Sequence, residues 1–376
     1  MSCGTSGSVE SRDVTVPHGP REGVLKIVHH VNTLAAAGTE KAAVLLARWA
    51  QRRGHTVTLL TYEGGLRHNW ASELLDVENV RLLDVKADRA AALLDALALL
   101  DPQIVHLHRG CIERPTPTEI RERCPNAKVV VHSIFGDVYQ DADLNVFVSP
   151  ELAASRAKAC EAIPLSKLAV IRNPVRPPHE TMIHGRLEGL PEGALVCGSL
   201  GRPDPSIFDS TAIEALATYA TAAKSRPVLY VRMGASEPEA RLIRDFGLPH
   251  RFLPPTCSDS EITRFFNSLD LYLHSRRDGE SDGMALAEAM AHGVRVVTHA
   301  QGVFQAHVER CSRYFPHTRV VPAGDVLAYA QAISDMDGDE LGKRLARGVL
   351  PARIMEEAGI DKVGELMLGC YERLVA

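Results

Sequence analysis

Short apolar runs rich in β-branched residues alternate with longer segments of helical periodicity along most of the chain. In the first half, the predicted strands are residues 24–31, 56–62, 103–108, 128–133, 144–149 and 168–173. The helical patterns between them include residues 40–55, 88–100 and 150–160. Alternation of strands and helices of these lengths is typical of a parallel α/β sheet.

The alternation is interrupted once and then begins again. Residues 173–193 carry four prolines and little periodicity, which is typical of a linker. A second series of strands follows, at residues 194–200, 227–233, 271–275, 294–299 and 318–322. The pattern predicts a flexible Ser-, Gly- and Pro-rich tail, a first α/β domain, a linker, a second α/β domain and a terminal helix that can pack on the first domain. Their bounds are 1–22, 23–175, 176–193, 194–358 and 359–376.

The bulk properties agree with two globular domains and exclude several classes of protein. A chain of 376 residues that is 45% hydrophobic suits two domains with a cleft between them. The net charge of -5 without a basic run disfavours nucleic-acid binding. No apolar run reaches the roughly 18 residues of a membrane span, so we expect a cytoplasmic protein. The eight cysteines form no Cys-x-x-Cys pair, which disfavours a zinc knuckle.

The most informative loop is "RRDGESDG", which leads directly into the helical pattern "MALAEAMAHG". The free amides at the start of that helix, near Gly283, favour a phosphate. Glu288 interrupts an otherwise apolar helix, and a buried carboxylate needs a partner. Two interpretations stay open from these residues alone. Glu280 and Glu288 either accept hydrogen bonds from ligand hydroxyls, or they are a solvated loop residue and a paired helix residue.

Glu280, the glycine-containing turn, Glu288 and "AMAHGVRVV" together resemble the two-glutamate signature of the retaining glycosyltransferases of family 4. The resemblance extends over most of residues 24–375. It implies the GT-B fold: two Rossmann-like α/β domains facing each other across a cleft, the first for the acceptor and the second for the nucleotide-sugar donor. It also implies that Glu280 holds the donor sugar and Glu288 the nucleotide ribose. The backbone amides implied to contact the sugar and diphosphate are those of Ser281, Asp282, Gly283 and Met284.

The loop "GSLGRPDPSIF" carries the second part of the resemblance. Arg202 matches an arginine that neutralises the donor diphosphate, and a guanidinium suits bidentate phosphate contact. Ile207 stands where the family has a lysine for the same diphosphate. Arg232, Arg276 and Arg277 are candidates to supply the missing charge, and Arg232 is included in the predicted donor site.

In the first domain the resemblance points to three further positions. Gly38 and Thr39, in a small-residue loop before a helix, would approach the donor phosphate. His108 matches the second histidine of a D-x-V-H-x-H strand, which reaches the donor sugar at the reaction centre. His132 would shape the acceptor side. The sequence shows no histidine cluster with zinc spacing and no Asp-x-Asp motif, so no metal site is predicted.

The resemblance implies transfer of a hexose from a nucleotide-diphosphate sugar, with retention of configuration and without a metal or other cofactor. The expected nucleotide is UDP or GDP, and the acceptor is a small metabolite or a glycan in natural-product or polysaccharide biosynthesis. The predicted catalytic residues are His108, Arg202 and Glu280. An epimerase or phosphorylase on the same architecture, or a non-catalytic nucleotide-sugar-binding protein, stays open as an alternative. No nucleic-acid partner is expected, and a homodimer is one possibility.

Overall fold

The structure is a computed structural model that describes residues 23–35, 37–62, 79–83, 88–109, 113–180, 184–222 and 226–376. The predicted tail, residues 1–22, lies outside the described residues. The described residues form two parallel sheets, each flanked by helices.

The first sheet has seven parallel strands in the order β3-β2-β1-β4-β5-β6-β7. Their bounds are β1 Lys26–His30, β2 Thr56–Tyr62, β3 Val80–Leu83, β4 Ile104–Arg109, β5 Lys128–Ser133, β6 Leu144–Phe147 and β7 Leu168–Val170. The helices of this half are α1 Gly38–Arg52, α2 Arg89–Leu100, α3 Pro117–Arg123, α4 Pro150–Ser155 and α5 Ala157–Cys160.

The second sheet has six parallel strands in the order β10-β9-β8-β11-β13-β15, and β12 pairs with β14 beside it. The strands are β8 Leu195–Leu200, β9 Val228–Met233, β10 His250–Leu253, β11 Leu271–His274, β12 Gly279–Glu280, β13 Arg295–His299, β14 Phe304–Gln305 and β15 Thr318–Val321. The first four helices are α6 Thr211–Ala222, α7 Glu237–Asp245, α8 Asp259–Ser268 and α9 Met284–Ala291. The last four are α10 Ala306–Arg313, α11 Val326–Asp337, α12 Glu340–Ala358 and α13 Ile360–Val375.

Both sheets are the parallel α/β sheets that the alternating pattern predicts. Four strands have no counterpart in that prediction: β3 and β10, which are edge strands, and the two-residue strands β12 and β14. Two residues of β3 are exposed and β10 is nowhere fully buried. An edge strand that packs little against a helix shows neither a continuous apolar run nor strict alternation, so the pattern does not reveal it.

The chain passes between the domains at two points that lie side by side. Val175, after the first sheet, pairs with Gly359 in a parallel bridge. The Val175 amide donates to the Ala358 carbonyl at 2.8 Å, and the Ile360 amide donates to the Val175 carbonyl at 2.9 Å. The two connections between the domains are therefore hydrogen-bonded to each other at Val175 and Gly359, and we call this pair of segments the hinge.

Helix α13 returns from the second domain to the core of the first. Its apolar residues Val363, Met367, Cys370 and Tyr371 join the buried cluster of Ile27 and Trp49. Trp49 donates to Asp361 at 2.9 Å, and a Cβ on Gly364 would lie only 2.3 Å from the Trp49 ring. A glycine is therefore needed where the two helices approach. Among the described helices, none is long and apolar enough to cross a membrane.

Candidate functional site

A cavity of about 240 Å³ lies between the two domains, at the carboxyl ends of the strands of both sheets. This is the place where parallel α/β sheets bind ligands. The structure brings all ten residues of the predicted donor set to its walls: Gly38, Thr39, Arg202, Arg232, Glu280, Ser281, Asp282, Gly283, Met284 and Glu288.

Two helix N-termini from opposite domains meet at this cavity. The cap of α9 is Gly283, which has a φ of 78° that favours glycine, and no side chain caps the first amides. Helix α1 begins at Gly38 and also lacks a side-chain cap. The helices approach so closely that a Cβ on Gly38 would lie 3.2 Å from the Met284 sulfur. Two uncapped N-termini present free N–H groups and positive dipole ends, which favour an anion between them.

Glu280 is held on one wall of the cavity by three neighbours. Its Oε1 lies 3.2 Å from Nη1 of Arg276 and 3.4 Å from Nε2 of His274, and its backbone N–H donates to Nδ1 of His307 at 3.3 Å. Burial raises the pKa of Glu280, but the attraction of Arg276 and the hydrogen bond from His274 outweigh burial and lower the pKa to about 2. Glu280 is therefore an ionised acceptor at neutral pH.

Glu288 lies deeper, one helical turn along α9, and only 6% of it is exposed. Lys41 of α1 donates a hydrogen bond to this carboxylate across the domain boundary, and the two side chains form an ion pair. A buried carboxylate with a single cation still has free lone pairs that can accept ligand hydroxyls. Lys41 was not among the predicted site residues, although it lies on the first turn of α1, three residues after Gly38.

Asp282, the acid of the "ESDG" turn, lies in an ion-pair network with two arginines. Asp282 is 2% exposed and lies 2.8 Å from Arg310 and 3.3 Å from Arg172. Arg310 also donates to the carbonyls of Asp282 and Gly283, at 2.6 and 3.0 Å. These bonds fix the turn by its carbonyls, so Arg310 is a positioning residue that the sequence did not reveal.

Arg202 and Arg232 contribute differently to the cavity. The Arg202 side chain is 48% exposed and forms an ion pair with Asp204 at 3.0 Å. Arg232 is buried, and its Nε donates to Glu239 at 2.6 Å while Nη1 donates to the carbonyls of Met233 and Ser199. Its Nη2 and Nη1 lie 3.4 and 3.7 Å from the position that a Cβ on Gly201 would take. Arg202 is free to turn toward an anion, whereas Arg232 mainly supports the loop beneath it.

His108 and His132 do not line the cavity, which differs from the roles expected for them. Both are buried in a row of histidines on the face of the first sheet that packs against α13. His108 Nε2 lies 3.0 Å from His29 Nδ1, and His132 Nδ1 lies 3.3 Å from His106 Nε2. His106 Nδ1 contacts the Tyr371 hydroxyl at 2.6 Å. Side chains alternate between the two faces of a strand, so His106 and His108 lie on the same face of β4 as the core residue Ile104.

The histidine row is also the group in the described chain that could hold a metal ion. Ring nitrogens of His29, His106 and His108 lie within 4.8 Å of one another. Sequence spacing did not indicate this group, because His29 comes from β1 and the H-x-H pair from β4, which become neighbours only in the sheet. Burial lowers the pKa of His29 to about 3, with a further contribution from His132, so the row is uncharged at neutral pH.

Other cavity residues were missed because their neighbours are set by the sheet rather than by a motif. They are Lys41, Ile134, Phe135, Asn173, His274 and Phe304. Phe135 and Phe304, from opposite domains, place their rings 5.4 Å apart. Phe135 follows His132 by three residues, and with Ile134 it takes the cavity position in which His132 was expected.

Comparison with known proteins agrees with this architecture. The family model described as "Glycosyl transferases group 1" matches residues 194–339, which include β8 to β15. A solved glycosyltransferase from Rickettsia africae superposes with a TM-score of 0.70 at 15% identity, covering 94% of this chain and 99% of that one. The chain has the GT-B fold.

Two further structures show how widely the fold is shared. Anabaena Alr3699/HepE, solved with UDP and glucose, has a TM-score of 0.70 at 14% identity, covering 93% of this chain and 99% of that one. The N-terminal domain of Candida albicans trehalose-6-phosphate phosphatase has a TM-score of 0.68 at 10% identity, covering 95% and 99%. No curated protein sequence matches the chain significantly. The structural likeness therefore establishes the fold, and function must be argued from the site.

Proposed function

We propose that the protein transfers a sugar from a nucleotide-diphosphate sugar to an acceptor. One observation carries this proposal: a single interdomain cavity is lined by two helix N-termini, by Arg202 and by two carboxylates. Each of these groups suits one part of such a donor. The family match over residues 194–339 supports the assignment of the second domain to the donor.

The parts of the donor are assigned by charge and by hydrogen-bonding capacity. The diphosphate, an anion, lies between the N-termini of α1 and α9, within reach of Arg202. Glu288, a buried acceptor, takes the vicinal hydroxyls of the ribose. Glu280, an ionised acceptor near the cavity wall, takes hydroxyls of the donor sugar. We propose UDP or GDP as the nucleotide, and UDP is bound by the structurally similar HepE.

The proposed reaction retains configuration at the anomeric carbon and needs no protein nucleophile. The sugar–phosphate bond breaks, the acceptor attacks from the face that the diphosphate leaves, and the acceptor's proton passes to the departing phosphate oxygen. Catalysis then consists of positioning and of stabilising negative charge on the leaving group. Arg202 and the α9 N-terminus supply that stabilisation without a metal. The support for retention is the two-glutamate signature at Glu280 and Glu288.

His108 is left out of the proposed catalytic set because it does not line the cavity in this arrangement. Arg202 and Glu280 remain in it. We assign the acceptor, a small metabolite or a glycan, to the side of the first domain where Ile134 and Phe135 form the wall.

A thermal-shift screen against UDP, GDP, ADP, dTDP and their sugars tests donor binding. A ligand at 100 times its dissociation constant stabilises the folded protein by roughly 2.7 kcal/mol, which shifts the melting curve measurably. We expect UDP or GDP and one of their sugars to give the largest shift. A screen in which none of these compounds shifts the curve would contradict the proposal.

Turnover of the donor that binds then separates transfer from the alternatives. Incubation with a panel of hydroxyl-bearing acceptors should give a glycoside whose anomeric proton has the configuration of the donor sugar, as measured by NMR. Conversion of the donor to another sugar nucleotide without an acceptor would indicate an epimerase. Binding without turnover on any acceptor would indicate a binding protein.

A further inference from the structure

The diphosphate that we assign to the cavity carries more negative charge than Arg202 alone neutralises. Ile207, on the 3₁₀ turn that follows Arg202, lines the cavity and is apolar. A second cation must therefore come from another element. Three arginines are candidates by their position at strand ends: Arg232, Arg276 and Arg277.

The backbone places Arg276 directly beside Ile207. Phe208 and Arg276 form an antiparallel bridge, and the Arg277 amide donates to the Ile207 carbonyl at 3.1 Å. The guanidinium of Arg276 is 21% exposed and lines the cavity. The loop after β11 thus delivers a cation to the place that the 3₁₀ turn leaves uncharged.

Arg276 is held rigidly but not saturated. Its Nε and Nη2 bind the two oxygens of Asp278, at 2.6 and 2.9 Å, and its Nη1 donates to Glu280 at 3.2 Å. These contacts use three of the five N–H donors of a guanidinium, and two remain for a ligand. A guanidinium that is already oriented loses little side-chain entropy when it binds phosphate.

Arg202 and Arg276 lie around the same point. The pKa of the Asp204 carboxyl is below its usual range, first because Ser206 donates to it, with smaller contributions from both Arg202 and Arg276. Glu280 links Arg276 to the anion site, since its Cβ is 3.6 Å from the Cβ position of Gly283, the cap of α9. Arg276 is therefore close to the α9 N-terminus, and Arg202 and Arg276 both act on Asp204 at the cavity wall.

The other two arginines are placed less well. Arg232 is bound to Glu239 and to two carbonyls beneath the Gly201 loop. Arg277 is exposed and does not line the cavity. We propose that Arg276 is the second cation for the donor diphosphate, supplied by the loop after β11; this assignment rests on the proposed function.

Calorimetric titration with UDP and UMP, or GDP and GMP if UDP does not bind, tests this role. In Arg276→Met we expect the diphosphate to bind about tenfold or more weakly, because a charge-assisted contact is lost. Binding of the monophosphate should change by less than about threefold, since its ribose contact at Glu288 is intact. Arg276→Lys keeps the positive charge and loses the planar guanidinium, so its affinity for the diphosphate should lie between those of wild type and Arg276→Met.

Two further variants sharpen the result. Arg277→Met is the matched control and should bind both nucleotides as wild type does. Adding Ile207→Lys to Arg276→Met should restore most of the lost diphosphate affinity, because it returns a cation to the same point from the other loop.

Full retention of diphosphate affinity in Arg276→Met, or an equal loss for diphosphate and monophosphate, would overturn the assignment while the proposed function stands. A wild-type protein that binds none of the four nucleotides would instead overturn the proposed function itself, and the role of Arg276 with it. Melting curves without ligand show that each variant is folded.

Discussion

Glu280 and Glu288 are the same residue type in two different environments, and the environments suggest two different tasks. Glu280 lies on the cavity wall, and Arg276 and His274 keep its pKa at about 2 despite its burial. Glu288 lies in α9 and shares its carboxylate with Lys41 from the other domain. The sequence alone left open whether these residues bind a ligand. The structure places both carboxylates on one cavity.

Replacing Glu280 by alanine should separate sugar recognition from nucleotide recognition. We expect Glu280→Ala to bind the sugar nucleotide about tenfold more weakly, because the sugar hydroxyls lose an ionised acceptor. Binding of the free nucleoside diphosphate should stay within about twofold, as measured by calorimetry. A variant that loses affinity for both ligands alike would show that Glu280 does not bind the sugar.

At the scale of single residues, the ten residues of the predicted donor set lie on one cavity, whereas His108 and His132 lie outside its lining. The ten donor residues come from short motifs whose spacing fixes their place at strand ends and helix starts, so they lie together. The role of His108 was inferred from a sequence motif. That motif does not specify whether the His108 side chain lies on the face of β4 that packs against α13. The packing partner of the row, Tyr371, is 265 residues from His106, and no local pattern predicts that contact.

At the scale of elements, β1, β4 and β5 carry five buried histidines that resist protonation. Burial lowers the pKa of His30 to about 3, helped by Arg109, and that of His132 to about 4. Burial and neighbouring imidazoles lower the pKa of His108 well below its usual value. As pH falls below about 6.5, the unfolded chain takes up protons that the folded chain refuses. The contribution of the neutral histidines to stability is therefore fully present above pH 6.5. The free energy of unfolding decreases as the pH falls from 6.5 toward the folded-state pKa values.

His30→Phe tests this account of the histidines. Neither ring nitrogen of His30 has a partner among the described residues, and the ring meets Tyr62 edge-on at 5.1 Å. The variant should flatten the decrease in unfolding free energy between about pH 6.5 and 4.5 by roughly 1.4 kcal/mol per pH unit. Urea unfolding at several pH values measures this slope, with the exposed His184→Gln as control. An unchanged slope in His30→Phe would contradict the account.

The turn before α9 is tied to neighbouring elements by Asp282, and this tie has a stability consequence. Asp282→Asn removes the charge opposite Arg310, which is fully buried, and opposite Arg172 near the hinge. Removing one partner of a buried ion pair typically costs about 3 kcal/mol or more. Urea unfolding should show that loss in Asp282→Asn and less than about 0.5 kcal/mol in Ser281→Ala, its neighbour in the same turn. Equal stability of the two variants would show that the network does not depend on Asp282.

The sequence predicted this turn as a donor loop and could not predict the orientation of its acid. The "ESDG" turn places the carboxylate of Asp282 beside an expected anion site, which by itself suggests repulsion. The compensating cations come from α10 and from the hinge, and they are distant in sequence. The same limit applies to β3 and β10, whose place at sheet edges leaves no strong apolar pattern.

At the scale of the whole molecule, the cavity exists because two domains close on each other. Lys41 contacts Glu288 across the boundary, and Gly38 packs near Met284. The backbone pairing of Val175 with Gly359 and the return of α13 to the first domain also connect the two domains. The alternating strands and helices predicted two parallel sheets and a cleft, but the pairing of residues across the cleft depends on their relative placement, which no single segment encodes.

The measurement that tests the central claim most directly is the calorimetric titration of the best nucleoside diphosphate into wild type, Glu288→Ala and Lys41→Met. We expect one site per chain in the wild type and an affinity about tenfold lower in Glu288→Ala, because the ribose loses its buried acceptor. Lys41→Met should not weaken binding, since the ribose no longer competes with an ammonium group for Glu288. Affinity that is the same in wild type and Glu288→Ala would contradict a donor site in this cavity.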